Sequence, residues 1–158
     1  MKALIVTESY FGNTWKVAEA IATGLRSHGA EADVVDVATN PEIDGADLLL
    51  VGAPTHNAGL PQPSTRSLAL EKGGHEERLG AHEWLDALPR LVTCRAGSFS
   101  TVTGPSAEAG TATAGITRRL RDRKSSLVGA EDFLVLGLKG PLAPGELDRA
   151  REWGASLA

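Results

Sequence analysis

The chain has 158 residues, 42% of them apolar and 23% charged, enough for one domain with a well-filled core and the composition of an ordinary folded protein. Sixteen basic against twenty acidic residues give a net charge of −4, with no block of six or more cations, so the electrostatic footprint of a nucleic-acid binder is missing. A single cysteine, Cys94, excludes an intramolecular disulfide framework and a cysteine-based zinc cluster.

Ala3 to Val6 is a short, wholly apolar run, as expected of a strand buried on both faces of a parallel sheet and too short for a signal peptide or a membrane span. The expected location is therefore the cytoplasm. Residues 14 to 28 switch to helical period, with Val17, Ile21 and Leu25 on one face and Gly29 where a C-terminal cap belongs. A second strand is predicted at Ala32 to Val37, and a third at Ala46 to Val51 after the turn around Asn40-Pro41. Pro63 introduces a helix over Ser64 to Lys72, broken by Gly73-Gly74, and Glu83 to Leu88 reads as another helix stopped by Pro89. A fourth strand falls within Leu91 to Ser100, with Cys94 as a small residue in or near the core, and Ala107 to Lys124 is helical in part, Ile116 and Leu120 pointing inward. The cations Arg118, Arg119, Arg121, Arg123 and Lys124 suit a solvated helix end. Phe133 to Leu138 is predicted as the fifth strand and Leu147 to Leu157 as the closing helix, with Trp153 on its apolar side. Five strands, about five helices, no repeat and no linker make one doubly wound α/β domain over residues 1–158. Seven aromatics, 4% of the chain, fit that class better than a β-rich sandwich.

In an open α/β sheet a ligand binds beyond the carboxyl ends of the strands, where the strand order reverses. The loop after the first strand, Ser9-Tyr10-Phe11-Gly12-Asn13-Thr14, opens a helix. Its backbone N–H groups can form an anion nest, to which Ser9, Thr14 and Asn13 add neutral donors. Without a lysine or arginine it suits a phosphate monoester better than a triphosphate, and neither a P-loop nor a dinucleotide fingerprint is present. The plainer alternative is an ordinary helix cap supplied by Asn13 or Thr14.

This loop, following Leu4-Ile5-Val6, resembles the phosphate loop of the flavodoxin family, and the Phe-Gly-Asn-Thr form is similar to that of its small members from high-GC bacteria. The likeness continues through Val51 to Gly59, through Pro63-Ser64-Thr65-Arg66, and through Gly140-Pro141-Leu142 with Gly145 to Gly154. The resemblance implies a flavodoxin-like three-layer sandwich, with a five-stranded parallel sheet of order 2-1-3-4-5 and one non-covalent FMN. It implies that Ser9, Tyr10, Phe11, Gly12, Asn13 and Thr14 cradle the FMN phosphate. Pro54, Thr55, His56, Asn57, Ala58 and Gly59 would run along the ribityl chain and one face of the ring, and Phe99, Ser100, Thr101, Val102, Thr103 and Gly104 would cover its pyrimidine edge. Pro54 would restrain the second loop and Gly59 permit a peptide beside flavin N5 to reorient.

Two departures from the family stand out. Relatives carry an aromatic near position 57 or 58, where this chain has Asn57 and Ala58, leaving His56 as the one planar side chain of that loop. Relatives also tend to read Phe-Asp-Thr-Arg where this chain has Phe99-Ser100-Thr101-Val102. The site should expose more of its flavin, and fewer carboxylates should raise the potential of the reduced, anionic flavin.

Other motifs are weak. His75-Glu76 would need a second histidine at Leu79 to begin a zinc-protease helix, and Cys94 would need an arginine at Ser100 to form a phosphatase loop. Glu8 lacks the following acidic pair of a phosphoacceptor domain, and Arg66 reads as a solvated helix arginine rather than a group over the cofactor edge. No catalytic residue and no metal site is predicted. The expected function is one- or two-electron transfer through FMN to a redox partner protein or a small electron acceptor, by a monomer or weak dimer without nucleic-acid or membrane partners. The alternatives are an NAD(P)H-dependent quinone or flavin reductase and a cofactor-free interaction module.

Overall fold

The uninterrupted apolar runs become the strands with neighbours on both sides. In the computed structural model, which describes residues 1–74, 79–104 and 110–158, β1 (Lys2–Thr7) lies between β2 (Glu31–Asp36) and β3 (Leu48–Pro54), and β3 is followed by β4 (Arg95–Thr103) and β5 (Ser126–Val135). All pairings are parallel and the order is 2-1-3-4-5, the predicted topology. Such pairing needs crossovers, and helices α1 (Asn13–Ser27), α2 (Pro63–Glu71), α3 (Ala81–Ala87), α4 (Ala112–Asp122) and α5 (Glu146–Leu157) lie between or after the strands. None of the described helices is long and apolar enough to cross a membrane.

Alternation along the strands divides the core in two. Ile5, Leu48, Leu50, Phe99 and Phe133 face Val17, Ile21 and Leu25 of α1 and Ala150 and Leu157 of α5, with Trp153 packed against the same cluster. Val6, Leu49 and Val51 face Trp84 and Leu85 of α3 and Ile116 and Leu120 of α4, and Cys94 joins this second cluster. Helices α1 and α5 cross with their backbones in contact. A Cβ at Gly24 would lie 2.0 Å from the Arg151 carbonyl oxygen, and one at Gly154 would lie 2.2 Å from that of Ile21.

Three expectations change, the first being that β3 and β4 run on to Pro54 and Thr103, past the expected ends at Val51 and Ser100. The fifth strand starts at Ser126 rather than Phe133 and ends at Val135, because it is an edge strand whose first half is largely exposed and carries no buried pattern. Leu136 and Leu138 then belong to an exposed loop. The helix after β4, Ala112–Asp122, lies within the stretch expected to be helical in part, and the basic run at its end is solvated as expected apart from Arg119 and Arg123, which meet the carboxylate and the backbone carbonyl of Asp86. Arg66 is not solvated: its side chain is only 9% exposed and is held between two carboxylates.

Candidate functional site

Three strand-end loops converge at the carboxyl edge of the sheet, around the point where the order reverses between β1 and β3. They line a single open cleft with Ser9, Tyr10, Phe11, Asn13 and Thr14 from the first, Pro54, Thr55 and His56 from the second, and Thr101, Val102 and Thr103 from the third. Val135, Gly137 and Leu138 beyond β5 complete the wall, and none of these lining residues is an Asp, Glu, Lys or Arg.

The first loop leaves a helix end open. Gly12 stands at the N-cap of α1 with φ of +88°, a left-handed conformation that glycine adopts without steric cost. No side chain caps the helix, so Asn13 and Thr14 do not act as the ordinary caps that the sequence allowed. Ser9 Oγ accepts from the Gly12 N–H at 3.1 Å and shapes the loop. Thr14 and Thr101 share a hydroxyl–hydroxyl bond of 2.9 Å, which ties the first loop to the third. The fifteen-residue α1 thus presents the positive end of its dipole beside the cleft, amid hydroxyl and amide donors.

The second loop closes on itself. His56 and Gly59 exchange backbone hydrogen bonds of 2.9 and 3.0 Å, and the tip residues Asn57 and Ala58 have φ of +47° and +63°. Two positive φ values in a two-residue tip are the mark of a type I′ turn. The backbone reversal therefore falls on Asn57 and Ala58 rather than on Gly59. Both tip residues are exposed and outside the cleft. His56 turns inward, its Nδ1 3.1 Å from Thr65 Oγ1 at the start of α2 and its ring centroid 5.4 Å from that of Tyr10 at a tilt of 38°. Burial, helped by the positive charge of Arg66, lowers the pKa of His56. A Tyr10–His56 pair thus forms one aromatic wall of the cleft, beside the Phe11 ring in its lining, and Tyr10 is itself buried.

The third loop contributes less than predicted. Thr101, Val102 and Thr103 line the cleft, but Phe99 and Ser100 are wholly buried strand residues and Gly104 lies outside at the strand end. Phe99 faces α1 and α5 and covers Gly52, where a Cβ would come within 2.1 Å of the ring. Ser100 donates to Asp132 Oδ1 at 2.6 Å and accepts from Thr55 Oγ1 at 3.3 Å, fixing the second loop from beneath. His75-Glu76 lies outside the described residues.

Behind the Tyr10–His56 wall is a charged cluster that the sequence did not reveal. Glu8 is fully buried at the end of β1. Its Oε1 accepts from the Tyr10 hydroxyl at 2.5 Å and its Oε2 from the Ala81 N–H at 3.0 Å. Arg66 Nη1 stands 4.0 Å from Glu8 Oε1, while the guanidinium forks onto both oxygens of Glu83, one of them at 2.8 Å from Nη1. Burial lifts the Glu8 carboxyl to about 7, against the opposing pull of the Tyr10 and Ala81 hydrogen bonds and of Arg66. The bond from Arg66 holds Glu83 down at about 2. A charged residue placed directly after an apolar strand was the one sequence signal available for this cluster. The contributions of Val135, Gly137 and Leu138 to the cleft had none.

Comparison with known proteins agrees with this geometry. The family model described as Flavodoxin matches residues 5–98. Among solved structures, oxidised Flavodoxin 1 from Bacillus cereus is 19% identical, covers 98% of this chain and 95% of its own, and superposes with a TM-score of 0.72. The flavodoxin of Streptococcus pneumonia TIGR4 is also 19% identical, covering 99% and 97% with a TM-score of 0.72. A flavodoxin from the domain Archaea is 20% identical, covering 100% and 96% with a TM-score of 0.67.

Proposed function

Since the chain belongs to the flavodoxin family, we propose that it binds FMN non-covalently in this cleft and serves as an electron-transfer protein. Flavodoxins bind FMN and pass electrons to redox partners, and the observation that carries the reading here is the donor set of the cleft. An uncapped helix end with Ser9, Asn13 and Thr14 offers only neutral donors and a dipole, which suits a phosphate monoester. Tyr10, His56, Val102 and Leu138 offer the flat and apolar surfaces that a ring system needs. The residues present therefore fit the cofactor.

When bound, FMN supplies the redox chemistry. The chain binds, orients and shields it. Ser9, Asn13, Thr14 and the first amides of α1 would hold the phosphate; Gly12 would bend the loop around it. Thr55, His56 and Thr101 to Thr103 would line the ribityl chain and ring. The exposed tip at Asn57 and Ala58, closed by Gly59, would offer the ring no aromatic cover, so one ring face would stay open to a partner protein or a small acceptor. His56, its pKa lowered, would be neutral at physiological pH and offer no positive charge to a reduced flavin. We assign the protein to the cytoplasm, as a monomer or weak dimer.

The test is direct. The freshly purified protein should be yellow, and cofactor-free protein titrated with FMN should quench the flavin fluorescence to a stoichiometric end point. Colourless protein that leaves FMN fluorescence unchanged would overturn the reading in favour of a cofactor-free interaction module. NAD(P)H oxidation with a quinone acceptor, absent from a pure carrier, would mark it as a reductase.

A further inference from the structure

Glu8 does not line the cleft, and the proposed function makes no use of it, yet its surroundings are built around it. The Arg66 guanidinium is engaged on both oxygens of Glu83 and stands 4.0 Å from Glu8 Oε1, so Glu8 shares this cation with Glu83. Backbone closes on the cluster at Gly80 and Gly74. A Cβ at Gly80 would stand 2.0 Å from Arg66 Nη1 and 2.9 Å from Glu8 Oε1, and one at Gly74 would stand 3.1 Å from Tyr10 Cβ. The hydrogen bond between Glu8 and Tyr10, whose ring packs on His56, links this cluster to the wall of the cleft.

We propose that Glu8 is a positioning residue for the cofactor cleft: through the Tyr10 hydroxyl it holds the Tyr10–His56 wall, and its protonation is coupled to binding of the FMN phosphate. This rests on the FMN reading above. In the neutral acid the Glu8 O–H donates to the Tyr10 oxygen; in the carboxylate the Tyr10 O–H donates to Glu8. The link survives in both states, and what changes is a negative charge buried directly behind the loop that receives the phosphate. A buried charge is poorly screened, so the phosphate is bound more tightly when Glu8 carries its proton. By linkage, bound phosphate raises the affinity of Glu8 for that proton by the same factor.

Among the described residues, the groups that face Glu8 are Tyr10, Arg66 from α2, and Glu83 with the Ala81 N–H from α3. Glu83 is held ionised by Arg66, whose own pKa is raised. His56 meets Tyr10 from the second loop, and its pKa is lowered. Glu8, which burial lifts to about 7, is the member of this set that changes charge near neutrality. One charge acting on a phosphate dianion across the thickness of a loop alters affinity by about fivefold.

The Ala81 amide, which donates to Glu8, is a reporter that does not depend on flavin. Its NMR shift is followed against pH in cofactor-free and FMN-saturated protein, alongside fluorescence titrations with FMN and with riboflavin, which lacks the phosphate. The Ala81 midpoint is expected near 7 in the free protein and higher by about 0.7 in pH with FMN, the equivalent of fivefold. FMN affinity should weaken about fivefold from the acid to the alkaline side of neutrality relative to the Glu8→Gln variant, while riboflavin shows no such difference. In Tyr10→Phe, riboflavin binding should weaken because the wall is no longer held, with Ala81 still titrating. An Ala81 midpoint that does not move on FMN binding overturns the coupling, as does a pH profile of FMN affinity unchanged by Glu8→Gln, or an equal pH effect on riboflavin. Unweakened riboflavin binding in Tyr10→Phe overturns the positioning role. A protein that binds no flavin at any pH while Ala81 still titrates overturns the FMN reading, and the inference with it.

Discussion

Replacing Glu8 by glutamine should stabilise the cofactor-free protein at alkaline pH and leave it nearly unchanged in acid. The folded protein holds the Glu8 proton more tightly than the unfolded chain does, its pKa rising from 4.5 to about 7. The stability this provides is fully present below 4.5, declines as the pH climbs towards 7, and is lost above it. Over that interval each unit of pH removes about 1.4 kcal/mol, so the carboxylate costs about 3 kcal/mol above neutrality. Glutamine cannot ionise, and its amide retains one donor and one acceptor for Tyr10 and Ala81. A gain of about 3 kcal/mol in a chain of this length corresponds to a rise in Tm of about 6–12 °C. Thermal melts followed by circular dichroism across the pH range measure it as the difference between variant and wild type. That subtraction cancels the contributions of Glu83 and Glu146, whose lowered pKa values run in the opposite sense. A difference that does not change with pH would refute the reasoning, because the Glu8 carboxyl would then not be titrating differently in the folded and unfolded states.

Other outcomes follow from single contacts. Gly154→Ala places a methyl group against the Ile21 carbonyl and should force α1 and α5 apart, lowering stability by about 1–3 kcal/mol in urea unfolding. Ala58→Gly relieves a left-handed alanine at the turn tip and should stabilise the cofactor-free protein by about 1 kcal/mol, again by urea unfolding. Thr14→Val removes the hydroxyl that meets Thr101 and one neutral donor to the phosphate. FMN should bind about tenfold more weakly, with a fluorescence titration as the measure. Because none of the described residues lining the cleft carries a carboxylate, spectroelectrochemistry should place the most negative flavin potential above those of acidic flavodoxins; a very negative value would show that some other group repels the reduced cofactor.

The parts of this fold that could be read in the sequence are those whose burial is complete. β1, β3 and α1 carry unbroken patterns because both faces of a central strand and one face of a covering helix are packed. β5 escaped because its first residues, Ser126 to Ala130, run along an edge and are largely exposed. The cleft was legible at Ser9 to Thr14 and Pro54 to His56, where local loop chemistry resembled a known family. It was less so at Phe99 and Ser100, since a one-residue difference in where a strand ends decides whether a side chain meets the core or the ligand. Arg66 looked like a surface cation because its partners are 58 and 17 residues away, and only the fold brings them together.

The backbone contact between α1 and α5 sets an order of events in folding. Gly24 meets Arg151 and Gly154 meets Ile21, so α1 is sealed by a helix more than a hundred residues further along the chain. Closing so long a stretch of chain carries an entropy cost that no local interaction offsets in advance. Until α5 docks, the face of α1 that carries Gly24 has no cover, and α1 is the helix whose N-terminus opens the cleft. During synthesis, the first loop should therefore reach its final form only once α5 has left the ribosome.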